Sequence, residues 1–426
     1  MASPYDAMWQ ELGLDLAAHE QLLQVLGGGY QQVFLGQPNR PAGMDYFNFV
    51  MSEVHGLRVK ELVEAQAAGK KVIGSFCVFV PEEVVRATGA TLVGLCTGAD
   101  FAAEEVDKLL PRNTCALIKS AFGFKLGKIC PFIEAADMIV GENTCDGKKK
   151  AYETMGKMVP NLYVMDLPQV KSDQGRALLK AEFARFLKAV EDLTGVTIDA
   201  AKLREGMRIV NDKRKALARL NALRAADPAP ISGLDALLIN QVAFYDDPIR
   251  FTGSVNALCD ELEARVADGQ GAMEKGAPRV LLSGCPMAVP NWKLPWIIEQ
   301  AGAVIVGEES CVGERGARNL VDDSGQSVDE LLEALVDRYF QVDCAIFTPN
   351  PQRLAHVEQM AAAYKAQGVI HYCLQFCQPY QMEALPVEQA LKAQGLPALR
   401  LETDYSQEDA GQLQTRVEAF LEMLEK

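Results

Sequence analysis

The feature that most limits what this chain can become is an ordered repeat in which strand-like runs hand over to cysteines. Lys71-Val72-Ile73-Gly74-Ser75-Phe76 runs into Cys77, and Arg279-Val280-Leu281-Leu282-Ser283-Gly284 runs into Cys285. Gly89-Ala90-Thr91-Leu92-Val93-Gly94 precedes Cys96 as Gly302-Ala303-Val304-Ile305-Val306-Gly307 precedes Cys311. Cys115 and Cys145 stand 30 residues apart, and Cys344 and Cys377 stand 33 apart. Short apolar runs alternating with helix-forming segments are the pattern of a parallel sheet. The repeat therefore predicts two doubly wound domains offering cysteines beyond their strand ends, the edge where ligands collect in such sheets. A thiol there also faces the first turn of a helix, whose free N–H groups and positive dipole end favour the thiolate.

The expected fold class is α/β: two doubly wound Rossmann-like domains facing each other, with helical N-terminal and central segments. Residues 1–68 read as a helical N-terminal segment broken at Gly27-Gly28-Gly29, and 69–167 as the first cluster-binding domain. Residues 168–277 are rich in Ala, Leu, Glu, Lys and Arg, with Leu179, Phe183, Phe186, Leu187, Val190 and Leu193 on one helical face, and read as a helical insertion. Residues 278–426 form the second α/β domain. Six thiolates can reach one centre only if the strand-end loops of both domains converge.

Charge and motifs exclude several functions. The 42 basic and 57 acidic residues give a net charge of -15, which repels nucleic acid and anionic membranes. No apolar run is long enough to span a bilayer and no signal peptide is legible, so a cytoplasmic protein is expected. No phosphate-binding loop, nucleophile elbow or His-Glu-x-x-His motif occurs.

Eleven cysteines are more than a reducing compartment needs for packing. Ten of them fall within 77–145 and 285–377, and only Cys259 lies between the two blocks. The four histidines, His19, His55, His356 and His371, are few for a zinc enzyme, whereas iron–sulfur clusters are satisfied by thiolates. The pair Cys373-x-x-x-Cys377 with Cys115, Cys145, Cys311 and Cys344 is the candidate ligand set. Glu142 and Glu309 place carboxylates beside it as candidate proton relays. Lys148, Lys149 and Lys150 read as a solvated helix face.

The stretch Gly141-Glu142-Asn143-Thr144-Cys145-Asp146-Gly147-Lys148-Lys149-Lys150, together with Gln375-Phe376-Cys377 and the C-terminal Leu401-Glu402-Thr403-Asp404-Tyr405, resembles the 2-hydroxyacyl-CoA dehydratase and benzoyl-CoA reductase superfamily. The resemblance runs from about residue 67 to the end. Leu110-Pro111-Arg112-Asn113-Thr114-Cys115, with the extra cysteines Cys311, Cys344 and Cys373, is most like its double-cubane cluster proteins. It implies a homodimer that takes electrons from a separate ATP-hydrolysing iron–sulfur activator and reduces a small molecule at an 8Fe-9S double cubane. Cys115, Cys145 and Cys377 match the three ligands of the single 4Fe-4S cluster of dehydratase subunits. Cys311, Cys344 and Cys373 would serve a second cubane, and Cys96 would displace Cys373 if it were used. Cys77, Cys130, Cys259 and Cys285 are expected to be buried or supporting thiols. The alternatives are a 2-hydroxyacyl-CoA dehydratase subunit with one 4Fe-4S cluster and a non-catalytic iron–sulfur carrier.

Overall fold

The computed structural model describes residues 3–424. Eight strands form two separate four-stranded parallel sheets. β1 (Val72–Ser75), β2 (Thr91–Gly94), β3 (Met138–Glu142) and β4 (Leu162–Met165) lie in the order β2-β1-β3-β4. β5 (Arg279–Gly284), β6 (Val304–Glu309), β7 (Gly368–Leu374) and β8 (Ala398–Thr403) lie in the order β6-β5-β7-β8. The two orders are the same, so the repeat seen in the chain is a repeat of topology. β1, β3, β5, β6 and β7 are buried along their whole length, which explains why they read as largely apolar runs, with Glu142, Arg279, Glu308, Glu309 and His371 as buried exceptions. In each sheet the connections reverse between the first strand and the third, which creates a crevice at their carboxyl ends.

Four helices, Asp173–Thr194, Ala200–Leu223, Gly233–Val242 and Pro248–Ala267, separate the two sheets along the chain. Ser172, Asp199, Ser232 and Asp247 start them, each side chain accepting a hydrogen bond from a first-turn N–H. The triple glycine does not end a helix as expected: helix Leu16–Tyr30 runs through it into a wide turn at Gln31–Leu35. Tertiary packing outweighs the helix-breaking tendency, because Tyr30 and Phe34 set their rings against Trp292 and Gly29 lies beside that indole.

The two α/β units interlock. Helix Val328–Tyr339, from the second half of the chain, packs on Asp173–Thr194, and its Leu331, Leu335, Val336 and Tyr339 complete the core behind Ile73, Met138 and Val140 of the first sheet. Backbone bonds also cross between the halves: Gly98 N–H donates to Val289 O at 2.9 Å and Ala116 N–H to Gln375 O at 3.3 Å. At Gly98 the approach is so close that a Cβ would stand 2.2 Å from the Ala288 carbonyl oxygen. Among the described residues no helix is long and apolar enough to cross a membrane.

Candidate metal centre

The strand-end loops of both sheets open onto one cleft of about 1160 Å³. Eight thiols line it: Cys77, Cys96, Cys115, Cys145, Cys285, Cys311, Cys344 and Cys377. All are free cysteines. Cys77 and Cys285 follow β1 and β5, Cys96 and Cys311 follow β2 and β6, and Cys145 and Cys377 follow β3 and β7. Three of the eight also cap helices. Cys115 precedes Ala116–Leu126, Cys145 precedes Asp146–Met155, where its sulfur accepts the Lys148 N–H at 3.5 Å, and Cys377 precedes Gln378–Ala393. Phe376 takes a left-handed φ of 63° to turn β7 sharply into that last helix, a strained conformation of the kind kept at functional sites.

The thiols fall into two neighbourhoods. Cys377 lies beside both Cys115 and Cys285, and Cys285 accepts the Leu374 N–H at 3.3 Å. Cys77 lies beside Cys311, and Tyr380 Oη stands 4.0 Å from the Cys344 sulfur. The neighbouring Cys77 thiol is the chief influence holding Cys311 down to about 6; Arg315 acts the same way, against burial. Cys77 is raised in turn, by Cys311 first and then by burial and Glu142. Among the described residues no three His, Cys, Asp or Glu side chains converge on the position of a single metal ion. Thiolates that hold a cluster each bind a different iron, so they ring a volume instead of meeting at a point.

Of the six candidate ligands, Cys115, Cys145, Cys311, Cys344 and Cys377 line the cleft and Cys373 does not. Cys373 sits inside β7, in register with Glu402, one residue before Leu374, which does reach the cleft wall. Side chains alternate across a strand, so Cys373 points to the other face of the sheet, where Arg353, Glu402, Arg400 and Glu383 surround it. Cys96 is in the cleft as the repeat suggested, though its thiol donates to Phe76 O at 2.7 Å. Cys77 and Cys285 were read only as supporting thiols, yet both line the cleft. The signal for them was the repeat itself, which pairs these two first-strand ends. Cys130 and Cys259 are buried away from the cleft.

The carboxylates and lysines differ from their sequence-based roles. Glu309 is fully buried, 2.6 Å from Arg315 and 2.9 Å from Arg353, and accepts the Ser283 hydroxyl at 2.9 Å. Burial works to raise its carboxyl, but the two guanidiniums outweigh it and hold it down to about 2. Glu309 thereby anchors two buried cations. Glu142 is also fully buried, with Oε2 3.1 Å from Lys148 Nζ and Oε1 without a partner. Burial pushes its carboxyl up and Lys148 opposes this. Lys148 does not belong to a solvated face: its ammonium turns inward to Glu142 on the cleft wall, while Lys149, paired with Asp146, and Lys150, paired with Glu153 at the cleft's edge, are exposed. Glycine at 147 lets helix and thiol pack closely, since a Cβ there would stand 3.1 Å from Ile118.

Comparison with known proteins agrees with this architecture. The family model for the 2-hydroxyglutaryl-CoA dehydratase, D-component, matches residues 77–424. The putative dehydratase subunit YjiM of Escherichia coli (strain K12) is 38% identical over 391 residues, covering 90% of this chain and 98% of that protein. The (R)-phenyllactyl-CoA dehydratase beta subunit of Clostridium sporogenes is 24% identical, covering 89% of this chain and 98% of its own length. A subunit of the benzoyl-CoA reductase of Thauera aromatica is 24% identical, covering 74% and 80%.

Proposed function

Because this chain belongs to the 2-hydroxyglutaryl-CoA dehydratase, D-component family, we propose that it is an iron–sulfur reductase component, charged by an ATP-hydrolysing activator and acting on a small molecule at a double-cubane centre. The observation that carries this reading is the number of thiols on one cleft. Eight are present, where a single 4Fe-4S cluster bound by three cysteines would leave five idle.

The donor set fits such a centre: it is soft, free of histidine and supplied by both α/β units. Cys115, Cys145 and Cys377 would hold one cubane, and Cys77, Cys311 and Cys344 the other. Cys77 takes the place first given to Cys373 because it faces Cys311 across the cleft. Cys96 is committed to the Phe76 carbonyl and Cys285 to the Leu374 N–H, so both are left as supporting thiols. When bound, the cluster supplies low-potential electrons one at a time and holds more than one of them.

The remaining work falls to the chain. Ala116–Leu126, Asp146–Met155 and Gln378–Ala393 aim their N-termini at the bound thiolates and offset their charge. Lys148, held by Glu142, places an ammonium on the wall where a substrate gaining charge would lie. The apolar rim of Leu109, Phe376 and Met382 narrows water access to the floor. A second copy of the chain and the activator are the proposed protein partners.

Anaerobically purified protein should hold about eight irons and a matching amount of acid-labile sulfide per chain. With a cognate activator, ATP and reductant it should turn over a small multiply bonded or nitrogenous substrate, and should stand nearly idle without ATP. Equal turnover without ATP would overturn the reductase reading. The named activities of the relatives favour a second reading, a dehydratase subunit for a CoA thioester with one cluster on Cys115, Cys145 and Cys377. Four irons per chain together with dehydration of a 2-hydroxyacyl-CoA would establish it. Iron without any substrate turnover would leave an electron carrier.

A further inference from the structure

We propose that the two ends of the thiol cleft are electrostatically unequal, and that Arg315, supported by Lys148, makes the Cys77, Cys311 and Cys344 end the one that accepts an electron more readily. The inference rests on the cluster-binding reading above and adds a direction for the electron within it.

Arg315 has no solvent-exposed side-chain surface, and its guanidinium has two distinct faces. Nη1 donates to the Cys311 sulfur at 3.5 Å and to the Tyr380 hydroxyl, whose oxygen stands 4.0 Å from the Cys344 sulfur. Nε and Nη2 donate to Glu309 Oε1 at 2.9 and 2.6 Å. Glu309 is gripped from behind by Arg353 and Ser283, and Arg353 also pairs with Glu383. The ion pair is therefore oriented, with its carboxylate in the protein and its cation against the sulfurs. Lys148 brings a second cation to the cleft wall near Cys77, where the Glu142 carboxylate, 3.1 Å from its ammonium, offsets part of that charge.

The other end is built differently. Its Cys145 accepts the backbone N–H of Lys148 at 3.5 Å, and among the described residues no Lys or Arg side chain donates a hydrogen bond to Cys115, Cys145 or Cys377. A donor on a ligating sulfur and a cation close by both favour the reduced, more negative state of the metal group, and burial keeps them from being screened. An electron arriving anywhere on the thiol ring would settle beside Arg315.

The test is a redox titration followed by electron paramagnetic resonance on anaerobic protein, comparing wild type with Arg315→Gln, Lys148→Gln and Arg112→Gln. Arg112 is an exposed cation just before Cys115 and serves as the screened control. Wild type should show two titrating centres. Arg315→Gln should make the more easily reduced one at least tenfold harder to reduce, about 59 mV for one electron, and leave the other in place. Lys148→Gln should move the same centre in the same direction by less, and it carries the test if Arg315→Gln fails to fold, because Lys148 lies at the cleft wall and not in the core. Arg112→Gln should move neither. A single titrating centre, equal shifts of both, or no shift in Lys148→Gln overturns the inference while the cluster reading stands. Wild type free of iron sinks both.

Discussion

Cys77, two residues past the first strand of one α/β unit, lies thiol to thiol with Cys311, two residues past the second strand of the other. The contact joins non-equivalent positions of the repeat, so the cleft is not a symmetric seam. It also separates a thiol in the cleft from one that only sequence proximity put there. Cys77→Ala should lose iron relative to wild type, whereas Cys373→Ala should keep wild-type iron and cost about 1 kcal/mol of stability through the small void left in β7. Iron and acid-labile sulfide per chain, with thermal unfolding, measure both. Iron lost in Cys373→Ala but not in Cys77→Ala would return Cys373 to the ligand set.

Glu309 offers a separation of structural from catalytic roles. Truncating it to Ala would leave Arg315 and Arg353 buried without their shared counter-ion, and removing one partner from such a pair costs about 3 to 5 kcal/mol. Denaturant unfolding should show a clear drop in midpoint for Glu309→Ala and a smaller one for Glu309→Gln, which keeps the shape and loses the charge. An unchanged midpoint accompanied by lost turnover would mark Glu309 as a proton relay after all.

Gly98 is where the first unit's β2 loop meets the second unit's Ala288 to Asn291 segment. A Cβ there would stand 2.2 Å from the Ala288 carbonyl oxygen and 2.8 Å from the Asn291 Cβ, and backbone atoms cannot rotate away as a side-chain tip can. Gly98→Ala should therefore lower stability by about 1 to 3 kcal/mol. Since the same contact closes the cleft, iron retention should fall with it. A melting temperature within a degree of wild type would show that the loops part without cost.

His19 and His55 pair through their ring nitrogens at 3.0 Å beneath Trp9. Burial pushes His19 down to about 4, and burial followed by the neighbouring His19 pushes His55 down to about 3. Both have folded values below the unfolded value near 6.5, so the stability they contribute is full above about pH 6.5 and is lost as pH falls toward 4. By pH 5 the loss should be on the order of 2 kcal/mol or more. Melting temperatures between pH 7.5 and 5 should fall accordingly, and His55→Gln should shallow that slope. A slope unchanged in the variant would clear the pair of this role.

The α/β architecture, with its two parallel sheets, could be read from the chain alone. Strands buried on both faces are mostly apolar, and so β1, β3, β5 and β7 were legible as runs in spite of Glu142, Arg279, Ser283 and His371 within them. The repeat put a thiol beyond the first three strands of each sheet, where doubly wound sheets place their loops. Whatever depends on direction and on distant neighbours was settled only by folding. Cys373 faces away from the cleft because a strand turns alternate side chains to opposite faces, and a one-residue offset from Leu374 is invisible in spacing alone. Cys77 and Cys285 line the cleft because two separate sheets bring their first-strand ends to it. Lys148 and Lys149 are adjacent in the chain, yet one lies against Glu142 and the other in solvent. Glu309 stands beside the proposed ligands in the chain, but its partners Arg315 and Arg353 lie 6 and 44 residues away and close around it only in the fold. Pattern along a chain reports which face is apolar, but the partner of a buried charge is chosen only when the chain folds back on itself.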